Sequence, residues 1–494
     1  MLFLSYGPVV QSVLDMIISA YNFLSIFILN TEILARIQFA FTMTAHIIYP
    51  SISIGLITFL VILECRYLVT GHEPYRQACQ FWCKLFALTF GMGVISGIVM
   101  EFQFGTNWGG FSYQAGPLLG VLFTYEVLSA FFVESGFLGI MLFGWNRVHR
   151  YWHFFSTCMV MLGTTLSSFW IMSANSWMQT PTDYFINAKG QYETQNFWGV
   201  VFNPSFISRF LHMLLSCYLS AALLIMGISA YYMFQKRHQM FARTQFNMAW
   251  MAVLLIMPIQ IFVGHHVGAV MDGYQPVKIA AIEGIWKSGP AQPTLLFAWP
   301  DQKAEQNHYA IGIPKLASYL VKGSGDAYMT GLDSVPATER PWVFAVFWSF
   351  RIMVGAGLVI ALVSYLGLAM RLMGKHLEQT WYLIMTMLCS PLGLIALEMG
   401  WMTAEMGRQP WLIYGLLKTK DAISAVPSDQ VLTTLLILIV VYGIIFGYFY
   451  FKFALSIIAK GPFNQTLTPP SFTYLSPHKG ISKQHHNDPT NPKD

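Results

Sequence analysis

The sequence is short of charge: Asp, Glu, Lys and Arg make up 10% of its 494 residues, against about a quarter in an ordinary soluble domain. That shortage excludes a water-soluble enzyme. The six cysteines, Cys65, Cys79, Cys83, Cys158, Cys217 and Cys389, form no C-x-x-C, no C-x-x-C-H and no iron–sulfur run, which excludes covalent haem c, zinc ribbons and clusters. Scattered in or beside apolar stretches, they read as small core residues. There is no concentrated basic patch; the formal charge is +5, with its basic residues spread over short connections, so no nucleic-acid partner is expected. Neither an internal repeat nor an inverted pair of broken helices of the transporter kind is present.

What the chain has in quantity is apolar and aromatic surface: 55% hydrophobic residues, 39 Phe, 24 Tyr and 15 Trp, with a mean hydropathy of +0.51. These suit helices in lipid with aromatic belts at both interfaces. Stretches long enough to cross a hydrocarbon core of roughly 30 Å run Phe39 to Glu64, Leu85 to Gly105, Pro117 to Trp145, Trp152 to Trp177, Ile207 to Phe234, Asn247 to Gly268, Trp342 to Met370, Thr380 to Trp401 and Val431 to Phe453. The expected fold is an all-α polytopic membrane helix bundle of nine spans.

Basic residues mark alternate connections: Arg66, Arg76 and Lys84; Arg147 and Arg150; Lys236, Arg237 and Arg243; Arg371 and Lys375. By the positive-inside rule these are cytoplasmic, which puts the start of span one and the Met271 to Arg340 interval outside. The chain then divides into an apolar extension (1–31), spans one to six (32–270), a long outer loop (271–340), spans seven to nine (341–460) and a disordered cytoplasmic tail (461–494). In the extension, Val9 to Leu29 is apolar but holds Asp15 and Asn22 and lacks the features of a secretory signal. A tenth span, an interfacial helix and a misassigned start all fit it.

Ionisable groups inside spans are costly and therefore functional candidates. At about 1.5 Å of rise per residue, His46, His212, Met353, Glu101 and Glu405 all fall in the outer half. An imidazole, a thioether and carboxylates converging from several helices are what a haem site needs, and Arg351 and Arg408, close in sequence to Met353 and Glu405, suit propionates. The alternative for the histidines is a hydrogen bond to a neighbouring helix, and for Met353, one of 27 methionines, simple packing. Glu126 and Glu134, eight residues apart on span three, would be separated by about 12 Å of depth and about 80° of azimuth in a regular helix. Such a ladder suits a proton relay; helix-pairing hydrogen bonds are the alternative. His265 and His266 suggest copper but point in different directions around a helix, which favours a structural or interfacial use.

Several of these residues sit in recognisable motifs: L-A-R-I-Q-F-A-F-T-M-T-A-H ending at His46, M-E-F-Q-F-G-T-N-W from Met100, F-F-V-E-S around Glu134, R-F-L-H ending at His212, F-W-S-F-R-I-M ending at Met353, and A-E-M-G-R-Q-P-W from Ala404. In collinear order over Ile33 to Phe453, the chain resembles subunit I of the cytochrome bd quinol oxidases. The resemblance implies His212 and Met353 as the axial pair of a low-spin haem b, and His46 and Glu405 as the residues holding two high-spin haems. One of these is a haem b; the other is haem d or a third haem b. It implies Glu126 beside that pair, Glu134 as the next proton-path position toward the cytoplasm, and Glu101, Arg351, Trp401 and Arg408 as further pocket residues. The segment K-I-A-A-I-E, Lys278 to Glu283, resembles the quinol site, where a carboxylate near the membrane surface accepts a hydroxyl proton. The loop resembles the short-loop branch that includes cyanide-insensitive oxidases.

The implied reaction is oxidation of ubiquinol or menaquinol with reduction of dioxygen to water, at a bacterial inner membrane with the quinol loop periplasmic. Quinol protons leave outside and the protons consumed come from the cytoplasm, so a gradient forms without a pump. A second membrane subunit is expected, with a small accessory single-helix subunit as a further expectation. A haem–copper oxidase would need several His ligands for copper, which the glutamate-rich array does not supply. A transporter with structural histidines leaves the G-R-Q-P-W match unexplained.

Overall fold

The computed structural model describes residues 30–462. Among them, nine helices are long and apolar enough to cross a membrane: span one (Thr31–Thr70), two (Glu73–Thr106), three (Gly109–Phe143), four (Arg150–Gln179), five (Phe206–Phe234) and six (Gln239–Tyr274), seven (Val343–Leu372), eight (Thr380–Met406) and nine (Ser428–Lys460). The all-α polytopic expectation agrees with this. Both the apolar run Val9 to Leu29 and the tail beyond Pro462 lie outside the described residues.

Local chemistry sets the ends and breaks of these helices. Asn30 opens span one by accepting the Glu32 N–H at 3.1 Å, and Gly71 closes it in the left-handed region with its N–H on Tyr67 O at 2.8 Å, as a glycine C-cap does. Span eight breaks at Ser390 and Pro391, where proline cannot continue the ladder. The Ser390 hydroxyl turns instead to Leu223 O on span five at 2.9 Å.

Spans one and five are the most buried and form the centre. They cross so closely at Gly55 that a Cβ there would sit 2.3 Å from the Ala221 Cβ, the small-residue contact by which helices pack in lipid. The peripheral spans expose broad apolar faces, among them Ile259, Ile261 and Phe262 on span six and Leu358 and Leu362 on span seven. In a membrane such faces meet lipid or a second subunit.

The interval between spans six and seven is built, not featureless. A helix, Pro276–Glu283, leads into a hairpin of Thr294–Asp301 and Gln306–Ile313 and a short helix, Leu316–Lys322. Asp301 Oδ1 accepts the N–H groups of Lys303 and Ala304 at 2.9 and 3.0 Å, an Asx turn that fixes the hairpin tip. The Asp333 carboxylate accepts both the N–H and the hydroxyl of Ser288, tying the two ends of the loop together; these bonds hold its carboxyl below the usual range. Ile279, Ala280, Trp286, Leu332, Val343 and Val346 form the apolar core beneath.

Candidate haem and quinol site

At the end of the bundle that carries this loop, one carboxylate is surrounded by three buried cations. Glu405, on the last turn of span eight, accepts Asn175 Nδ2 and Gln179 Nε2 from span four, each at 3.1 Å, and is ion-paired with Arg408. Arg209, at the start of span five, donates to Ser176 Oγ at 2.8 Å and Asn175 Oδ1 at 2.6 Å. Lys278 Nζ donates to Gln179 Oε1 at 2.5 Å. Arg209, Lys278 and Arg408 are 7%, 4% and 3% exposed, so the cluster carries more positive than negative charge away from water. Burial and the neighbouring Arg209 and Arg408 push the Lys278 ammonium well below its ordinary range. Unpaired buried charge is costly, and Arg408 Nε and Nη1 have no partner among the described residues. The donor set fits acidic side groups such as haem propionates.

Three of the four implied iron ligands, His46, His212 and Met353, pack directly on a glycine. His46, on span one, is hydrogen-bonded through Nδ1 to Ser96 Oγ of span two at 2.8 Å. The Ser96 hydroxyl lies within reach of the carbonyls of Met92 and Gly93 at 2.8 and 3.0 Å. With its one proton on a carbonyl, Ser96 accepts from Nδ1–H and leaves Nε2 with a free lone pair, the tautomer a metal ligand needs. Gly97 lies against the same ring, 3.2 Å from Cε1 to an ideal Cβ, and Glu101 follows one turn later on that helix face, exposed in the chain alone. His212, on span five, lies beside Gly264 of span six, where a Cβ would come within 2.8 Å of Cε1, and Met353, on span seven, lies beside Gly400 of span eight, 3.0 Å from Sδ. The buried His212 Nδ1 and Trp401 Nε1 have no partner among the described residues. Trp401 packs with Ile47 and Met213, the neighbours in sequence of His46 and His212.

Span three contains a π-turn at Val127–Phe131, between Glu126 and Glu134. One such turn absorbs about one extra residue, so the regular-helix azimuth of about 80° contracts to about 20°. Both carboxyls consequently face span four. Glu126 Oε1 accepts Ser167 Oγ at 2.7 Å. Glu134 packs on Gly163, whose ideal Cβ would be 2.9 Å from the Glu134 Cβ, with Ser167 and Gly163 one turn apart. Glu134 is 6% exposed, and its Oε1 has no partner among the described residues.

Lys278 and Glu283, read in the sequence as one quinol segment, turn to different partners. Lys278 belongs to the Glu405 cluster, whereas Glu283 pairs with Arg351 Nη2 at 3.0 Å. Burial raises the Glu283 carboxyl above its usual range against the opposing pull of Arg351. Arg351 also donates to Leu295 O at 3.0 Å and to Ile282 O and lies over the Phe347 ring at 3.9 Å, which makes it a clamp between span seven and the loop. Arg209 opens the R-F-L-H motif that ends at His212 and was not itself singled out in the sequence. An arginine inside an apolar helix was the signal available for it; Asn175, Gln179, Ser96 and the three glycines gave none. His265 and His266 are exposed, and among the described residues no group of three or more His, Cys, Asp or Glu is placed to hold a metal ion by itself.

Comparison with known proteins gives the same answer over nearly the whole chain. Residues 34–462 match the family model described as cytochrome bd terminal oxidase subunit I. The chain is 34% identical over 476 residues to the cytochrome bd-II ubiquinol oxidase subunit 1 of Escherichia coli, covering 83% of this chain and 93% of that one. To the cytochrome bd ubiquinol oxidase subunit 1 of Bacillus subtilis it is 35% identical over 426 residues, covering 84% and 90%. Its fold superimposes on the bd oxidase structure from Geobacillus thermodenitrificans with a TM-score of 0.81 at 25% identity, over 88% of this chain and 99% of that one. The chain belongs to the cytochrome bd terminal oxidase subunit I family, the haem-bearing subunit of a membrane quinol oxidase.

Proposed function

We propose that this chain holds a low-spin haem b between His212 and Met353 and two high-spin haems on His46 and Glu405, near the end of the bundle that carries the loop. The observation that carries the reading is the buried excess of cations around Glu405, which suits propionates and little else in this setting. Bound haem supplies one-electron transfer and an iron position open to dioxygen. The chain's residues do the rest. Arg209, Lys278 and Arg408 would neutralise acidic side groups, Ser96 fixes the His46 tautomer, and Gly97, Gly264 and Gly400 let His46, His212 and Met353 lie where a larger side chain would displace them.

Quinol is read as docking against the loop, at Glu283, where a buried carboxyl accepts a hydroxyl proton as the substrate is oxidised. Glu283 must be ionised to do so, and burial raises its pKa. The rate of quinol oxidation is therefore expected to fall as pH drops through a value above the ordinary carboxyl range. Glu283→Gln should lower the rate about a hundredfold and flatten that acid limb. An unchanged pH profile in the variant would remove Glu283 from the mechanism.

Glu134 and Glu126 form the proton route toward the high-spin site, supported by their common orientation toward span four. Glu134→Gln is expected to slow oxygen consumption at least about tenfold with the haem spectrum intact. Full turnover in that variant would count against the route.

Orientation follows from the short basic connections at the opposite end: the loop is periplasmic, and the protons consumed rise from the cytoplasm. Subunit II is the expected partner, with a small single-helix subunit as a further one. The test of the whole is a pyridine haemochromogen spectrum with acid–acetone extraction on the purified two-subunit enzyme. It should count two or three haems b per complex, with or without a chlorin. A preparation that consumes oxygen with quinol yet contains no haem would end the proposal.

A further inference from the structure

At the end of the bundle opposite the Glu405 cluster, a cavity of about 350 Å³ opens between the connections joining spans five to six and seven to eight. Its wall carries Arg243, Arg371, Lys375 and His376, with Glu378 as the one acid, over a floor that includes Met233 and Phe246. Glu378 pairs with Arg243 at 2.6 Å, and Arg371 is held over the Trp250 ring at 4.5 Å with a hydrogen bond to Asn247. Lys375 and His376 make no side-chain hydrogen bond or ion pair among the described residues. The cavity thus holds cationic charge at Lys375 and His376 that no acidic side chain pairs among the described residues.

Scattered basic residues on this side need no ligand, since the positive-inside rule explains them. Convergence from two connections far apart in sequence on one concave site with an apolar floor is a different arrangement. The cavity lies where span five ends, span six begins and span seven ends, the level of lipid headgroups. Leu372 and Met373, next in the chain to Gly374 of the wall, are 80% and 61% exposed. A ligand that presents a phosphate to the cations and a hydrocarbon to these residues matches both halves.

We propose that this cavity binds the phosphate headgroup of an anionic phospholipid of the adjoining leaflet, as basic pockets between spans do. Only the name of that leaflet, cytoplasmic, rests on the orientation proposed above.

The test is native mass spectrometry of the purified two-subunit oxidase in neutral detergent, titrated with phosphatidylglycerol, phosphatidylcholine or soluble glycerol 3-phosphate. Phosphatidylglycerol should be retained in preference to phosphatidylcholine, and glycerol 3-phosphate should bind far more weakly. Lys375→Gln should weaken retention about fivefold and Lys375→Gln with Arg371→Gln about thirtyfold, with haem absorbance unchanged as the control for folding. Should the double variant lose haem, Lys375→Gln and His376→Gln decide, because neither removes a side-chain hydrogen bond or ion pair among the described residues. Equal retention of the neutral lipid, or retention unaffected by both single variants, would overturn the proposal. Glycerol 3-phosphate binding as tightly as the lipid would overturn it too, by making the source a soluble phosphate.

Discussion

Replacing Met353 by leucine is expected to remove the low-spin haem absorption and lower quinol oxidase activity at least about a hundredfold, while the high-spin bands persist. A Met-to-Leu exchange conserves volume and costs less than about 1.5 kcal/mol in a packed core, so the helices should assemble. What is lost is the thioether, the only atom of the side chain able to bind iron. The sulfur lies 3.0 Å from where a Gly400 Cβ would be, so leucine occupies the space without replacing the donor. His212→Ala should give the same spectrum from the other side. If both variants keep the low-spin signal at full intensity, the assignment of His212 and Met353 as haem ligands is wrong, and Met353 is a packing residue.

The second large effect is expected at Glu405. Glu405→Ala removes the carboxylate that Arg209, Lys278 and Arg408 share, leaving these cations without a compensating charge among the described residues, a loss of about 3 kcal/mol. It also removes the one neighbour that raises the Lys278 ammonium against burial. We expect the haemochromogen count to fall by at least one haem per complex and thermal stability to drop. Pairing Glu405→Gln with Lys278→Met, which removes a cation together with the anion, should recover thermal stability but not the lost haem. Glu405→Ala with a full haem complement and an unchanged melting temperature would show that neither charge balance nor ligation resides there.

Much of this site is legible along the chain. Apolar stretches fix the spans because a helix must cover about 30 Å of hydrocarbon with its own residues. His46, His212 and Glu405 stand out because ionisable groups in such stretches are costly. Met353 was not legible by chemistry, since one methionine among 27 has no signature, and only the motif around it pointed to a ligand. Arg351 shows what sequence closeness leaves out. Its closeness to Met353 in sequence suggested a propionate partner, yet its guanidinium is taken up by Glu283, Ile282 O and Leu295 O.

The sequence by itself determined the solvent, the number of spans within the described residues, and which side chains are too polar to lie in lipid without a task. These are local properties, set by composition and by rise per residue. Only the tertiary structure decided direction. It inserted a π-turn that brings Glu126 and Glu134 onto the face toward span four. It sent Lys278 and Glu283, five residues apart on one short helix, to different partners, and it drew Arg209 and Arg408 to a single carboxylate. Azimuth and pairing depend on what stands opposite, and the residues opposite stand far off in the sequence: Ser167 is 41 positions from Glu126, Gln179 is 99 from Lys278 and Asn175 is 230 from Glu405.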